Sequence, residues 1–289
     1  MNLRTVFIGV IAIVAVSANV ALATDEVSDL LAQAEAAYDR WSGPFDFEAY
    51  ESKLMLALGL WGQALPLIPE TDVQTRAHVL GRLATGYREY RVYFDRATES
   101  GSDTRKSLAE ISASYALARL RADPVFREIE TADGLIAAIQ ASNDIEGVYD
   151  YGDFYGNWMN YDYVAALQGG VEQVAAAFER VIELDETFRN GEAHYALGAL
   201  TAQAFFLLGR KFEEAVPHYE RAIELNPYNL WAMISYAEDY AARAWNIPLR
   251  KEILELALER AQSPECPPGD PLYQNDMVAR IQELLDALQ

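Results

Sequence analysis

The sequence predicts an all-α protein built from stacked helix pairs. Three observations carry this. Period-two stretches of Val, Ile and Thr are nearly absent after residue 23, so half-buried strands have no signature. Ala, Leu, Glu and Arg recur instead at spacings of three and four, the period of an amphipathic helix. An internal repeat is visible as well: FERVIELDE at 178–186 is echoed by YERAIELNP at 219–227, an offset of 41 residues.

The first element is not part of the fold. MNLRTVFIGVIAIVAVSANVALA places one cation, Arg4, before an apolar run from Val6 to Val16 and ends on the small pair Ala21 and Ala23. That is the pattern of a secretory signal peptide over residues 1–23, cleaved before Thr24. The uncharged run from Thr5 to Ala23 is 19 residues, close to spanning length, so an uncleaved anchor is the alternative. Ser17 and Asn19 weaken that run where a cleavage region begins. No lipid-attachment cysteine follows the signal, and a single cysteine, Cys266, allows no internal disulfide. The expected product is a periplasmic protein of residues 24–289, one domain stabilised by packing alone.

Along that domain, Gly, Pro and Asn punctuate the helical pattern at WSGPFD (41–46), PLIPETD (66–72), ESGSD (99–103), ADP (122–124), the stretch around Asn143, LQGG (167–170), FRNG (188–191), LGRK (208–211), ELNP (224–227), NIP (246–248) and SPECPPGDP (263–271). About a dozen helices with short connections follow. One of them, 193–208, is apolar almost all round and has to be covered on several sides. Its stripe of His194, Gly198, Thr201 and Phe205 faces either a cavity or a close-packed neighbour. Pro217 is tolerable if its helix begins near Phe212, because a proline in the first turn removes at most one backbone bond.

The repeat has a frame. Ala215, Tyr219, Ala222 and Pro227 are spaced four, three and five apart, and Ala57, Trp61, Ala64 and Pro69 repeat that spacing. Val174, Phe178, Val181 and Glu186 fit it more loosely. A small residue lets two helices approach, an aromatic fills the groove, a second small residue closes the ridge, and proline stops the helix. This resembles the second helix of tetratricopeptide repeats, whose first helix carries a Leu-Gly pair, as Leu80-Gly81 and Leu197-Gly198 do. The resemblance implies a tetratricopeptide-like helix-pair solenoid. Its period of 41 exceeds the usual 34 by about two helical turns per pair, leaving room for a cavity.

A more specific resemblance lies in the C-terminal part. GEAHYALG (191–198), EEAVPHYERAIELNP (213–227) and ISYAEDYA (234–241), with the stretch from Val171 to Phe188 and FYGNWM (154–159), look like the T-component of tripartite ATP-independent periplasmic (TRAP) transporters. It covers residues 110–289 well and the first helices by character only. It implies a non-catalytic periplasmic accessory protein that works beside the transporter's solute-binding protein and holds a hydrophobic cavity or pore. Relatives are often lipoproteins, and this chain lacks the cysteine. The alternative is a plain interaction scaffold that grips a protein or peptide and has no small-molecule site.

Charge and missing motifs narrow the classes further. The net charge is −21, with 44 acids, which disfavours nucleic acid and anionic lipid as partners. Homo-oligomerisation stays open. There is no GxSxG, GxGxxG, GxxxxGK[ST] or HExxH, and DIEGVYDYGD lacks the EF-hand spacing. The three histidines, His78, His194 and His218, are too scattered for a local metal site. The expectation is therefore no enzyme, no metal and no cofactor.

The densest aromatic stretch is YDYGDFYGNWMNYDY, 149–163, with seven rings. Wound as a helix, Tyr151, Phe154, Tyr155, Trp158 and Tyr161 share one face, while Asp150, Asp153, Asn157 and Asn160 form another. Gly152 and Gly156 each cost about 1 kcal/mol of helix propensity, so a close neighbour should compensate. The aromatic face is either core or ligand wall. In the second case Tyr155, Trp158 and Tyr161 line the cavity together with His194, Trp231 and Tyr236, which have polar handles for a mostly apolar small molecule.

Overall fold

The structure, a computed structural model, describes residues 25–38, 47–97, 102–267 and 277–288. The signal segment 1–23 lies outside them, as do parts of the WSGPFD, ESGSD and SPECPPGDP breaks. No strand occurs among the described residues. The helices are α1 (25–37), α2 (Phe47–Ala64), α3 (Val73–Ala97), α4 (Ser102–Leu120), α5 (Pro124–Asp133), α6 (Leu135–Ala141), α7 (Ile145–Met159), α8 (Tyr163–Ala165), α9 (Val171–Asp185), α10 (Glu192–Ala204), α11 (Ala215–Leu225), α12 (Leu230–Ser235), α13 (Ile247–Gln262) and α14 (Met277–Asp286).

Local chemistry sets most of these boundaries. The Asp123, Asp144, Asn229 and Asn246 side chains accept from Val125, Gly147, Ala232 and Leu249 N–H groups, capping α5, α7, α12 and α13. Pro124 and Pro248 occupy the first turns of their helices, where a missing N–H costs nothing. Pro217 behaves as expected, because a short 3-10 turn over Phe212–Glu214 leads into α11.

Packing runs sequentially, α2 on α3, α3 on α4, α4 on α7, α7 on α9, α9 on α10 and α10 on α11, with the α5–α6 pair lodged beside α9. The nine helical positions of the repeat frame are all buried. Ala57, Trp61, Ala64, Ala215, Tyr219 and Ala222 are 0% exposed, and Val174, Phe178 and Val181 no more than 3%. Gly198 shows why the pairs need a small residue. A Cβ there would lie 3.3 Å from the Tyr219 ring. This arrangement is compatible with a tetratricopeptide-like stack.

The apolar interior divides into three clusters. One lies around Trp61, Leu54 and Leu83, a second around Phe178, Tyr151 and Val174, and a third around Tyr219, Met233 and Leu254. Helix α10 contributes Ala193 and Leu197 to the second and Ala202 to the third.

Two expectations are corrected. The apolar helix of 193–208 ends at Ala204, because Gly209 turns the chain at φ 63° and the Arg210 N–H donates to the Phe205 carbonyl at 2.9 Å. Asp150 does not belong to a solvated face. It is 3% exposed, with Arg189 at 3.1 Å and Arg119 at 3.6 Å. Two arginines, Arg119 from α4 and Arg189 from the connection between α9 and α10, make that burial tolerable.

Candidate functional site

A cleft of about 480 Å³ opens between α7, α9 and α10. From α7 it takes the face bearing Gly152, Asp153, Gly156, Asn157 and Asn160, not the aromatic one. The floor is Val174 and Phe178 of α9, and the far wall is Ala196, Ala199, Leu200 and Gln203 of α10. Most of this surface is apolar, with a strip of amide and carboxylate groups along one side, as small-molecule sites tend to be built.

The glycines answer the propensity question differently. A Cβ on Gly152 would meet Phe178 ring carbons at 3.1 Å and the Ala177 Cβ at 3.2 Å, so α7 and α9 approach closely only because the residue is bare. Gly156 has ordinary space, with Val174 at 3.5 Å, and its missing side chain leaves the cleft open.

The mouth is unusual for a polar surface. Tyr163 is 77% exposed, Leu167 68% and Phe206 65%, and all three border the cleft. Tyr163 and Leu167 are presented by the connection after α7, where the chain passes through α8 and a π-helical turn over Ala166–Gly170, and Phe206 by the turn that follows α10. Asp162 caps α8 through the Val164 and Ala165 N–H groups, and Lys106 holds it at 3.1 Å. That Lys106 hydrogen bond, with the backbone donors, keeps its carboxyl below the usual range.

Charges beneath the cleft are paired. Arg88 of α3 meets Asp153 at 2.8 Å and sits 5.4 Å over the Phe154 ring. Arg189, in a left-handed conformation at φ 49°, reaches Asp150 and lies 4.4 Å over Tyr149. Burial pushes the Asp150 carboxyl up to about 6, against the opposing pull of Arg189 and Arg119.

Of the six residues the sequence puts forward as a ligand wall, none borders this cleft. Tyr155 stacks on Tyr151 at 5.2 Å and leans on Trp158 at 5.3 Å, so these two are brought together as packing against the central cluster. The Tyr161 hydroxyl accepts from Arg91 at 3.4 Å. His194 points its Nδ1 at the His218 Nδ1, 3.2 Å away, joining α10 to α11, and has Glu186 at 3.5 Å. Burial lowers both histidines, His218 down to about 4. Tyr236 stacks on Tyr219 at 5.0 Å, and Trp231 is 48% exposed. The cleft instead uses Gly156 and Asn157, whose signal was the small and polar stripe opposite the rings, and Gln203 of α10, which the sequence did not single out.

The family model described as the TRAP transporter T-component matches residues 75–278, from within α3 to the start of α14. The chain belongs to this family. No curated protein matches it. The T-component is an accessory, non-catalytic subunit of these transporters. The match begins well before residue 110, so α3 and α4 carry family character that their sequences alone showed weakly. All of the cleft falls within the matched span. Among the described residues of this T-component, no helix is long and apolar enough to cross a membrane, and no group of three or more candidate metal ligands occurs.

Proposed function

We propose that this T-component is an exported periplasmic subunit of tetratricopeptide-like architecture that holds an apolar or amphiphilic small molecule in the α7–α9–α10 cleft and docks beside the transporter's solute-binding protein. The observation that carries the reading is the cleft itself, apolar on floor and far wall, with a short polar strip and an exposed apolar mouth. Purified protein is incubated with alkyl-chain amphiphiles and bound mass is measured by native mass spectrometry. Gly156→Leu, which sends a side chain into the cleft from a position with room for a Cβ, is expected to abolish the adduct. Trp158→Phe, on the opposite face, is expected to leave it unchanged. Equal adducts in all three proteins would remove the assignment.

The exposed Tyr163, Leu167 and Phe206 favour a protein covering the mouth. Capture of the solute-binding subunit by wild type, and its loss in a Tyr163→Asp/Leu167→Asp variant, tests the docking. Retention by a variant closed with Gly156→Leu and release by the rim variant would favour the plain interaction scaffold. Export is tested by the mass of the periplasmic form, expected to begin at Thr24.

A further inference from the structure

We propose that the cleft selects an amphiphile whose head group donates hydrogen bonds, neutral or cationic, and rejects a carboxylate. The proposal rests on the cleft being a ligand site.

Among the described residues, Asp153 is the only charged side chain in the lining, which contains no Lys, Arg or His. Arg88 holds Asp153 from the α3 side at 2.8 Å and does not itself border the cleft, so the lining presents the carboxylate without offering a cation to a ligand. The Asn157 amide nitrogen donates to the Asp153 carbonyl at 2.7 Å and to its carboxylate at 2.9 Å, which spends the donors and leaves the amide oxygen. The Tyr195 hydroxyl makes no hydrogen bond among the described residues. Burial raises its proton affinity, and the Asp239, Asp153 and Glu192 carboxylates raise it further against the pull of Arg88, so the hydroxyl stays protonated and can accept from a ligand or donate to it. A carboxylate head entering here would lose water, lie near the Asp153 carboxylate and find no guanidinium or ammonium in the lining to pair with. An ammonium or amide head would find Asp153, the Asn157 oxygen and the Tyr195 oxygen instead.

The test uses dodecylamine, dodecanamide and dodecanoate, which share one chain and differ in the head, titrated calorimetrically below their aggregation limits. The amine and the neutral amide are expected to bind at least about tenfold more tightly than the carboxylate, the scale of one interaction with a nearby charge. Because the whole surface is acidic, the amide is the arm that separates the cleft from general attraction of cations. Gln203→Arg, at an exposed position in the lining, is expected to reverse the order between amide and carboxylate.

Equal binding of the three probes would overturn the head-group selection while leaving the cleft as a ligand site. An order unchanged by both Gly156→Leu and Gln203→Arg would place binding on the outer surface and overturn it too. Binding of none of the three would overturn the cleft reading itself.

Discussion

Gly152 and Gly156 lie one helical turn apart on α7, and the structure assigns opposite consequences to the same substitution at each. Replacing glycine by alanine in a helix interior adds about 0.5–1 kcal/mol of stability through backbone entropy. At Gly156 that gain is not offset, because the new methyl group would lie 3.5 Å from Val174 in ordinary contact. Gly156→Ala is therefore expected to be more stable by about 0.5–1 kcal/mol, a rise of roughly 1–2 °C in melting temperature for a chain this long.

At Gly152 the methyl would come within 3.1 Å of Phe178 and 3.2 Å of Ala177, and Phe178 is itself held edge-on by Tyr149 at 5.9 Å. Overpacking of this kind costs about 1–3 kcal/mol, so Gly152→Ala is expected to be destabilised despite the better propensity. Urea unfolding followed by far-UV circular dichroism on the two variants in parallel removes the shared propensity effect and leaves the packing difference. A Gly152→Ala midpoint at or above that of Gly156→Ala would refute the claim that bare backbone is what lets α7 and α9 meet.

Acid should act through two groups in opposite senses. The Asp150 carboxyl titrates near 6 when folded against 3.8 when unfolded, so the folded state takes up a proton first and this group adds up to about 3 kcal/mol as pH falls through that window. His218, lowered to about 4 from 6.5, does the reverse, its contribution being intact above 6.5 and lost as pH falls toward 4. Asp150→Asn should therefore steepen the acid loss of stability in pH-scanned thermal melts, and His218→Gln should flatten it. Tyr219→Phe leaves the 0%-exposed ring in place but removes its hydroxyl bond to Ser235 at 2.9 Å, and is expected to cost about 1–2 kcal/mol by chemical denaturation.

The helical periodicity and the repeat frame were legible because they are local. Tyr219 and Trp61 are buried for the reason their spacing suggests, and Gly198 lies against the Tyr219 ring. The candidate site was less legible because which face of α7 meets empty space depends on the distance between α9 and α10. Aromatic rings announce burial, and Tyr155 and Trp158 are used for that. A cleft is marked by what is small, and Gly156 beside Asn157 is a quieter signal than seven rings. Asp150 misled for a related reason, since its partners Arg119 and Arg189 come from distant parts of the chain.

Helix α10 belongs to two interior clusters at once while its Ala199 and Leu200 form the cleft wall. Any occupant of that space would press on a shared beam. A tilt of the beam would reach the C-terminal helices through Ala202 and the paired imidazoles, and the central helices through Leu197. Cargo in the cleft, resting on the central helices, would thus be felt at the C-terminal end of the molecule as well.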